Sequence, residues 1–302
     1  MDIVDSQIHF GPGGTEAVLA EMDALGIQAC LVDEFWGLET WGPGYTLPNG
    51  TFRPTRPTVE LAAALYPQRF SYVARVERAD PEVRSLIRIA SDDPNARAIR
   101  LIPAVTAAET SAFADGGYRD VFAVADAVGL PVFLFIAGHV DLLPPYLERF
   151  RDVTFIVDHC GMPMEAGIGM PNADRPDEPA IHPGPNVPYF DEVLKLADHP
   201  NVLLKWSHAQ GMFGELEYPS PGLIPHLRRA IDAFGVDRIM WASDYGGNQT
   251  GETWKQLLRY LLDSDGVTQE EKLWLFGGTV RSALNWPHPA NDAANGSGAL
   301  EA

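Results

Sequence analysis

Eight short apolar runs, at residues 3–10, 29–33, 70–76, 98–102, 130–137, 154–159, 202–206 and 238–243, alternate along the chain with longer segments. In those longer segments, centred on 15–25, 59–66, 81–91, 118–128, 142–150, 190–197, 224–234, 252–262 and 269–276, apolar residues recur three and four apart. The first pattern marks buried strands and the second marks helices with one apolar face. Regular strand–helix alternation leaves two architectures, a closed (β/α)8 TIM barrel or an open doubly wound sheet. The open sheet usually carries a GxGxxG turn after its first strand, and Gly11-Pro12-Gly13-Gly14 lacks that spacing. The expectation is a (β/α)8 barrel in one domain, residues 1–286, followed by an irregular tail, 287–302, rich in Pro, Asn, Gly and Ala. The length of 302 residues agrees with a barrel, which typically takes about 250.

Two stretches interrupt the alternation, residues 36–57 and 160–188, both rich in Gly and Pro. Loops of that length are usually functional or disordered, and Trp36, Trp41, Tyr45 and Phe52 point to an ordered lid in the first of them. The formal charge is −19, from 41 acidic and 22 basic residues. Such a surface repels phosphate backbones and anionic lipid, so neither nucleic acid nor a membrane is an expected partner. The longest apolar run, 130–137, is far shorter than the roughly 20 residues needed to span a bilayer. Cys30 and Cys160 sit in or beside apolar runs, and Asp2 and Asp5 stand where a signal peptide would be basic and then apolar. Both features fit a cytoplasmic protein. The sequence leaves open whether the chain forms a homo-oligomer.

Active sites of such barrels lie at the carboxyl ends of the strands. This chain places there Gln7 and His9, Asp33 and Glu34, Arg100, His159, Lys205 with Ser207 and His208, and Asp244. Strand alternation puts Asp5, Gln7 and His9 on one face. Each residue also has a structural reading. His9 could be a hydrogen-bonded core histidine, Asp244 a turn residue before Tyr245-Gly246-Gly247, and His159 the close of a strand. Arg100 inside an apolar strand needs an anion, either a neighbouring carboxylate or a substrate. Lys205 faces the same choice. Asp158 would point away from His159 and cap a helix, and His182 reads as a surface residue.

The pieces Val4-Asp5-Ser6-Gln7-Ile8-His9, Ala98-Ile99-Arg100, Leu130-Pro131-Val132, Val157-Asp158-His159-Cys160-Gly161-Met162-Pro163, Asn201-Val202 through Lys205 and Ser207, and Phe234-Gly235 through Asp244-Tyr245 run from the first strand to the eighth. In that order the chain resembles the amidohydrolase-related branch of the metal-dependent hydrolase barrels. Within it, the chain is similar to lactone hydrolases, including the pyrone-dicarboxylate lactonase type. The resemblance implies a hydrolase opening a lactone or related ester of a small carboxylated compound, with Asp244, His159 and His9 as catalytic residues. Arg100, Lys205, Gln7, Trp36 and Tyr45 would then contact the substrate. Metal-using relatives carry His-x-His on the first strand, where this chain has Gln7 and His9, and often a histidine ending the fifth, where it has Leu134-Phe135-Ile136-Ala137. The expected cofactor is therefore one divalent metal, zinc or manganese, weakly held or absent, with His9, Asp244 and His159 as ligands if it binds. The pyrone lactonase type, by resemblance, works without one. Alternatives are a metal-dependent decarboxylase of the aminocarboxymuconate type and a catalytically inactive binding barrel.

Overall fold

A computed structural model describes residues 1–10, 13–34, 43–104, 106–163, 187–246 and 251–288. Eight parallel strands form one sheet: β1 (Val4–Ile8), β2 (Ala29–Val32), β5 (Phe70–Arg75), β6 (Ala96–Leu101), β7 (Val132–Leu134), β8 (Phe155–Val157), β9 (Val202–Trp206) and β10 (Ile239–Trp241), each paired with the next. Past the last strand the chain meets the first again through a parallel bridge between Ile8 and Tyr245. The His9 amide donates to the Tyr245 carbonyl at 2.7 Å, and the Asp244 amide to the Gln7 carbonyl at 2.9 Å. These bonds all but close the barrel, and helices surround it.

Gly246 allows this closure. Its φ is +86°, and a Cβ there would lie 2.4 Å from the His9 carbonyl oxygen. Gly246→Ala is therefore expected to cost about 1–3 kcal/mol, read as a lower denaturant midpoint at unchanged slope.

The helices follow from local chemistry. The helix Gly14–Leu25 stops at Gly26 and the helix Arg119–Val128 at Gly129, both left-handed glycines whose amides return to the last carbonyls. Thr253 opens the helix Trp254–Leu262 with a reciprocal capping box to Gln256, and Thr268 does the same for Gln269–Leu273 through Glu271. The short helix Ala107–Ala114 is capped by Thr106 and lies in a stretch whose periodicity predicts none. In the first long loop, the described part is a small hairpin, β3 (Gly44–Thr46) against β4 (Phe52–Pro54). Residues 35–42 of that loop, residues 164–186 of the second, and the tail from 289 onward lie outside the described residues. Among the described residues, no helix is long and apolar enough to cross a membrane.

The inside of the barrel explains where chemistry can occur. One apolar layer is built from Val4, Leu31, Val73, Ala98, Phe133, Ile156, Leu203 and Met240. Side chains recur on one strand face every second residue, so the next inward positions are set by counting. Two residues above Leu31, Val73, Ala98, Ile156 and Leu203 stand Asp33, Arg75, Arg100, Asp158 and Lys205. All five are at most 4% exposed. An apolar floor thus carries a charged storey at the carboxyl ends of the strands.

Candidate active site

The charged storey is internally paired. Arg100 donates through Nε and Nη2 to Oδ2 of Asp158, each at 2.8 Å, and through Nη1 to Oδ2 of Asp33. Lys205 Nζ lies 2.6 Å from the other Asp158 oxygen and also donates to Gln7 Oε1. Arg75 Nε is 4.0 Å from Asp33 Oδ1. Burial alone would raise both carboxyls, yet Arg100 and Arg75 hold Asp33 below the ordinary value, and Arg100 and Lys205 do the same for Asp158. Burial lowers Lys205, with Asp158 opposing and Arg100 adding to the fall.

Above this layer sits a second group, delivered by unusual backbone. His159, His208 and Asp244 have φ of 50°, 53° and 56°, the left-handed region that non-glycine residues rarely occupy. Strain of this kind persists where surrounding structure imposes it, often at functional sites. Here each such turn brings a polar side chain into the barrel mouth just past a strand end. Asp244 Oδ1 lies 3.2 Å from His9 Nε2 and accepts from Gln7 Nε2, while Oδ2 meets His208 Nε2. His9 Nδ1 faces the Asp33 carbonyl at 2.9 Å, and His159 Nδ1 faces Ser207 Oγ at 2.9 Å. The His159 and His208 rings are 4.6 Å apart, edge to face.

The electrostatics follow from burial plus neighbours. Burial opposes ionisation of Asp244, but the imidazoles of His208 and His9 outweigh it and hold the carboxyl well below the usual range. Burial, then His208 and Lys205, push His159 well below an ordinary imidazole. A neutral His159 presents a free lone pair on Nε2 when its Nδ1 hydrogen is given to Ser207.

This donor set suits a divalent cation. One ligand atom from each of His159, His208 and Asp244 lies within 4.8 Å of the others, and all three residues are buried. Two imidazoles and a carboxylate form a common catalytic zinc ligand set. Ser207 on the far nitrogen of His159 supplies the outer hydrogen bond that usually orients a metal-bound imidazole. His208 Nδ1 has no hydrogen-bond partner among the described residues, so its ring is held by Nε2 against Asp244 and by packing on His159.

The structure brings together six of the residues singled out in the sequence: Gln7, His9, Arg100, His159, Lys205 and Asp244, each at most 4% exposed. Tyr45 lies on the β3–β4 hairpin, half exposed, with the Arg53 guanidinium 6.0 Å over its ring. Trp36 and His182 lie outside the described residues. Several details differ from expectation. Asp5 does not share a face with Gln7 and His9, because the register of β1 shifts between Asp5 and Ile8. Its carboxylate instead accepts from the amides of Gln7 and Ser243 and from Trp254 Nε1. The Asp158 side chain makes no capping bond to the short helical turn His159–Gly161 that it precedes; it faces inward by alternation, and the left-handed turn at His159 brings that neighbour to the mouth as well. His208, a strand-end residue that the sequence marks with no role, stands with His159 and Asp244 in a group that could hold a metal, while His9 lies beside the same carboxylate at 3.2 Å. The Gln7 oxygen, expected to contact the substrate, accepts from Lys205. Arg100 meets two carboxylates of its own chain.

Comparison with known proteins bears on this arrangement. The family model described as Amidohydrolase matches residues 7–286. A zinc-bound amidohydrolase from Burkholderia multivorans superposes with a TM-score of 0.70 at 17% identity, over 95% of this chain and 100% of that one. A Pseudomonas putida structure assigned as a 2-pyrone-4,6-dicarboxylic acid hydrolase gives 0.61 at 18% identity, over 94% and 98%. The 5-carboxyvanillate decarboxylase LigW from Sphingomonas paucimobilis gives 0.59 at 14% identity, over 94% and 99%. At these identities the structural likeness establishes the barrel fold. No curated protein matches the sequence.

Proposed function

Because the chain belongs to the amidohydrolase family, we propose that it hydrolyses a lactone or related ester of a small carboxylated compound, with Asp244 receiving the proton of the attacking water. The observation that supports this most directly is the Asp244 carboxylate, buried and contacted from both sides by His9, Gln7 and His208, with its carboxyl held well below the usual range by the two imidazoles against burial. An anion so fixed orients a water without reorganising as the reaction proceeds. A divalent ion held by His159, His208 and Asp244 would polarise the carbonyl and acidify the water, matching it to a carboxylate of low proton affinity. His9 lines the place where the carbonyl oxygen gains charge, and removing a donor so placed typically costs about 2.7–4 kcal/mol of barrier; the Nε2 lone pair of His159 goes to the ion instead. Since Arg100 is already engaged, it acts on the substrate carboxylate through its charge, while Tyr45 offers a flat face for a ring.

Elemental analysis by plasma mass spectrometry, with lactone opening assayed before and after chelation, tests this reading. The expected result is one zinc or manganese per chain, with activity lost on chelation and restored by the metal. His208→Ala should lower metal affinity by at least about tenfold, as losses around metal ligands commonly do. Full metal content in His208→Ala would overturn the ligand group, and a chelated protein with undiminished turnover would overturn the metal's part in the reaction. The same ligand group supports a second reading, non-hydrolytic decarboxylation. Carbon dioxide release from an aromatic carboxylate without ring opening would favour it over lactone hydrolysis.

A further inference from the structure

Gln7 stands between two groups that can each play only one part in a hydrogen bond. A lysine ammonium donates and never accepts; a carboxylate accepts and never donates. An amide between them has a single orientation, with Oε1 on Lys205 and Nε2 on Asp244, and this is the one observed. All three side chains are buried, and Lys205 is fully enclosed. The ammonium also lies 2.6 Å from Asp158 Oδ1 and 5.3 Å over the Phe133 ring.

We propose that Lys205 and Gln7 are positioning residues, not substrate contacts: Lys205 sets the direction of the Gln7 amide, and the amide fixes Oδ1 of Asp244. The other oxygen is then left to His208. An opposite amide would set oxygen against a carboxylate and a donor against an ammonium, turning Asp244 away. The inference rests on the water-activating role proposed for Asp244.

Steady-state kinetics of Lys205→Met, Gln7→Leu and the double variant test it. Each single change should lower kcat about 10- to 100-fold, as loss of an orienting partner does, while KM stays within about threefold. The double variant should match Gln7→Leu within about twofold, because Lys205 acts through the amide. A risen KM with kcat retained would make these residues substrate contacts and overturn the proposal, as would losses that multiply. A second readout is independent of turnover. The Gln7 side-chain amide signal in nitrogen–proton NMR, identified by its disappearance in Gln7→Leu, should exchange slowly with solvent and shift in Lys205→Met. An unmoved signal overturns the proposal even where kinetics are silent. A parent protein that opens no lactone defeats the proposed function, and the amide signal still decides the orientation. Should Lys205→Met fail to fold, Gln7→Glu carries the test: it keeps an acceptor for Lys205 but removes the donor to Asp244. Its kcat should fall as far as that of Gln7→Leu; a kcat within about twofold of the parent overturns the proposal.

Discussion

Asp244→Asn is expected to lower kcat by about 10²–10⁴-fold, the range that positioned proton transfer contributes, while substrate binding stays measurable by calorimetry. The substitution is close in shape but opposite in electrostatics. The carboxylate meets the Gln7 Nε2 donor at Oδ1, with His9 Nε2 3.2 Å away, and at Oδ2 the Nε2 of His208, whose Nδ1 has no hydrogen-bond partner among the described residues. An asparagine that turns its Nδ2 toward Gln7 sets a donor against a donor. It also removes the charge that would take the water's proton and the charged ligand of the His159–His208–Asp244 group. Kinetics and metal content should therefore fall together. Equal turnover by Asp244→Asn would remove the carboxylate from the mechanism altogether.

Arg100→Met is expected to destabilise the fold by about 3–5 kcal/mol, the usual cost of removing one partner from a buried ion pair. Arg100 is 3% exposed and is the main counter-charge of Asp33. Without it, the ion-pair partners left among the described residues are Arg75 at 4.0 Å for Asp33 and Lys205 for Asp158. The pH dependence carries a sign. Both carboxyls are held below their unfolded value, so their stabilisation is present above that value, about 3.9, and is lost as pH falls through the folded one. Part of the wild type's advantage should then vanish with acid. The gap between wild type and Arg100→Met, measured as denaturant midpoints, should be widest near neutral pH and narrow below about pH 4. A midpoint unchanged at pH 7 would mean that desolvation of the three charges cancels their attraction.

These two expectations come from different layers of legibility. The barrel could be read from the chain because strand and helix periods are local properties, visible in any window of a dozen residues. So could the strand ends at His9, Arg100, His159, Lys205 and Asp244, since a charge closing an apolar run is conspicuous. The pairings were not readable. Whether Arg100 met a substrate or a carboxylate depended on Asp33, 67 positions away, and on Asp158. His208 carried no signal beyond its place after β9, because its side chain reaches Asp244 only through a left-handed φ that no residue type there demands.

By itself, then, the sequence determined the eight-strand alternation, the apolar floor of the barrel, and the polar residues lifted to its mouth. Those follow from periods of 2.0 and 3.6 and from the cost of burying charge. Only the tertiary structure decided which charges neutralise one another, that Asp5 leaves the inner face where β1 shifts register, and that His208 joins His159 and Asp244. It also decided that the Gln7 amide points its nitrogen at Asp244. The physical reason is the same in each case: alternation assigns a side, whereas a hydrogen bond requires two atoms within about 3 Å. That distance is set by barrel closure and by three strained turns, neither of which is written in any single strand.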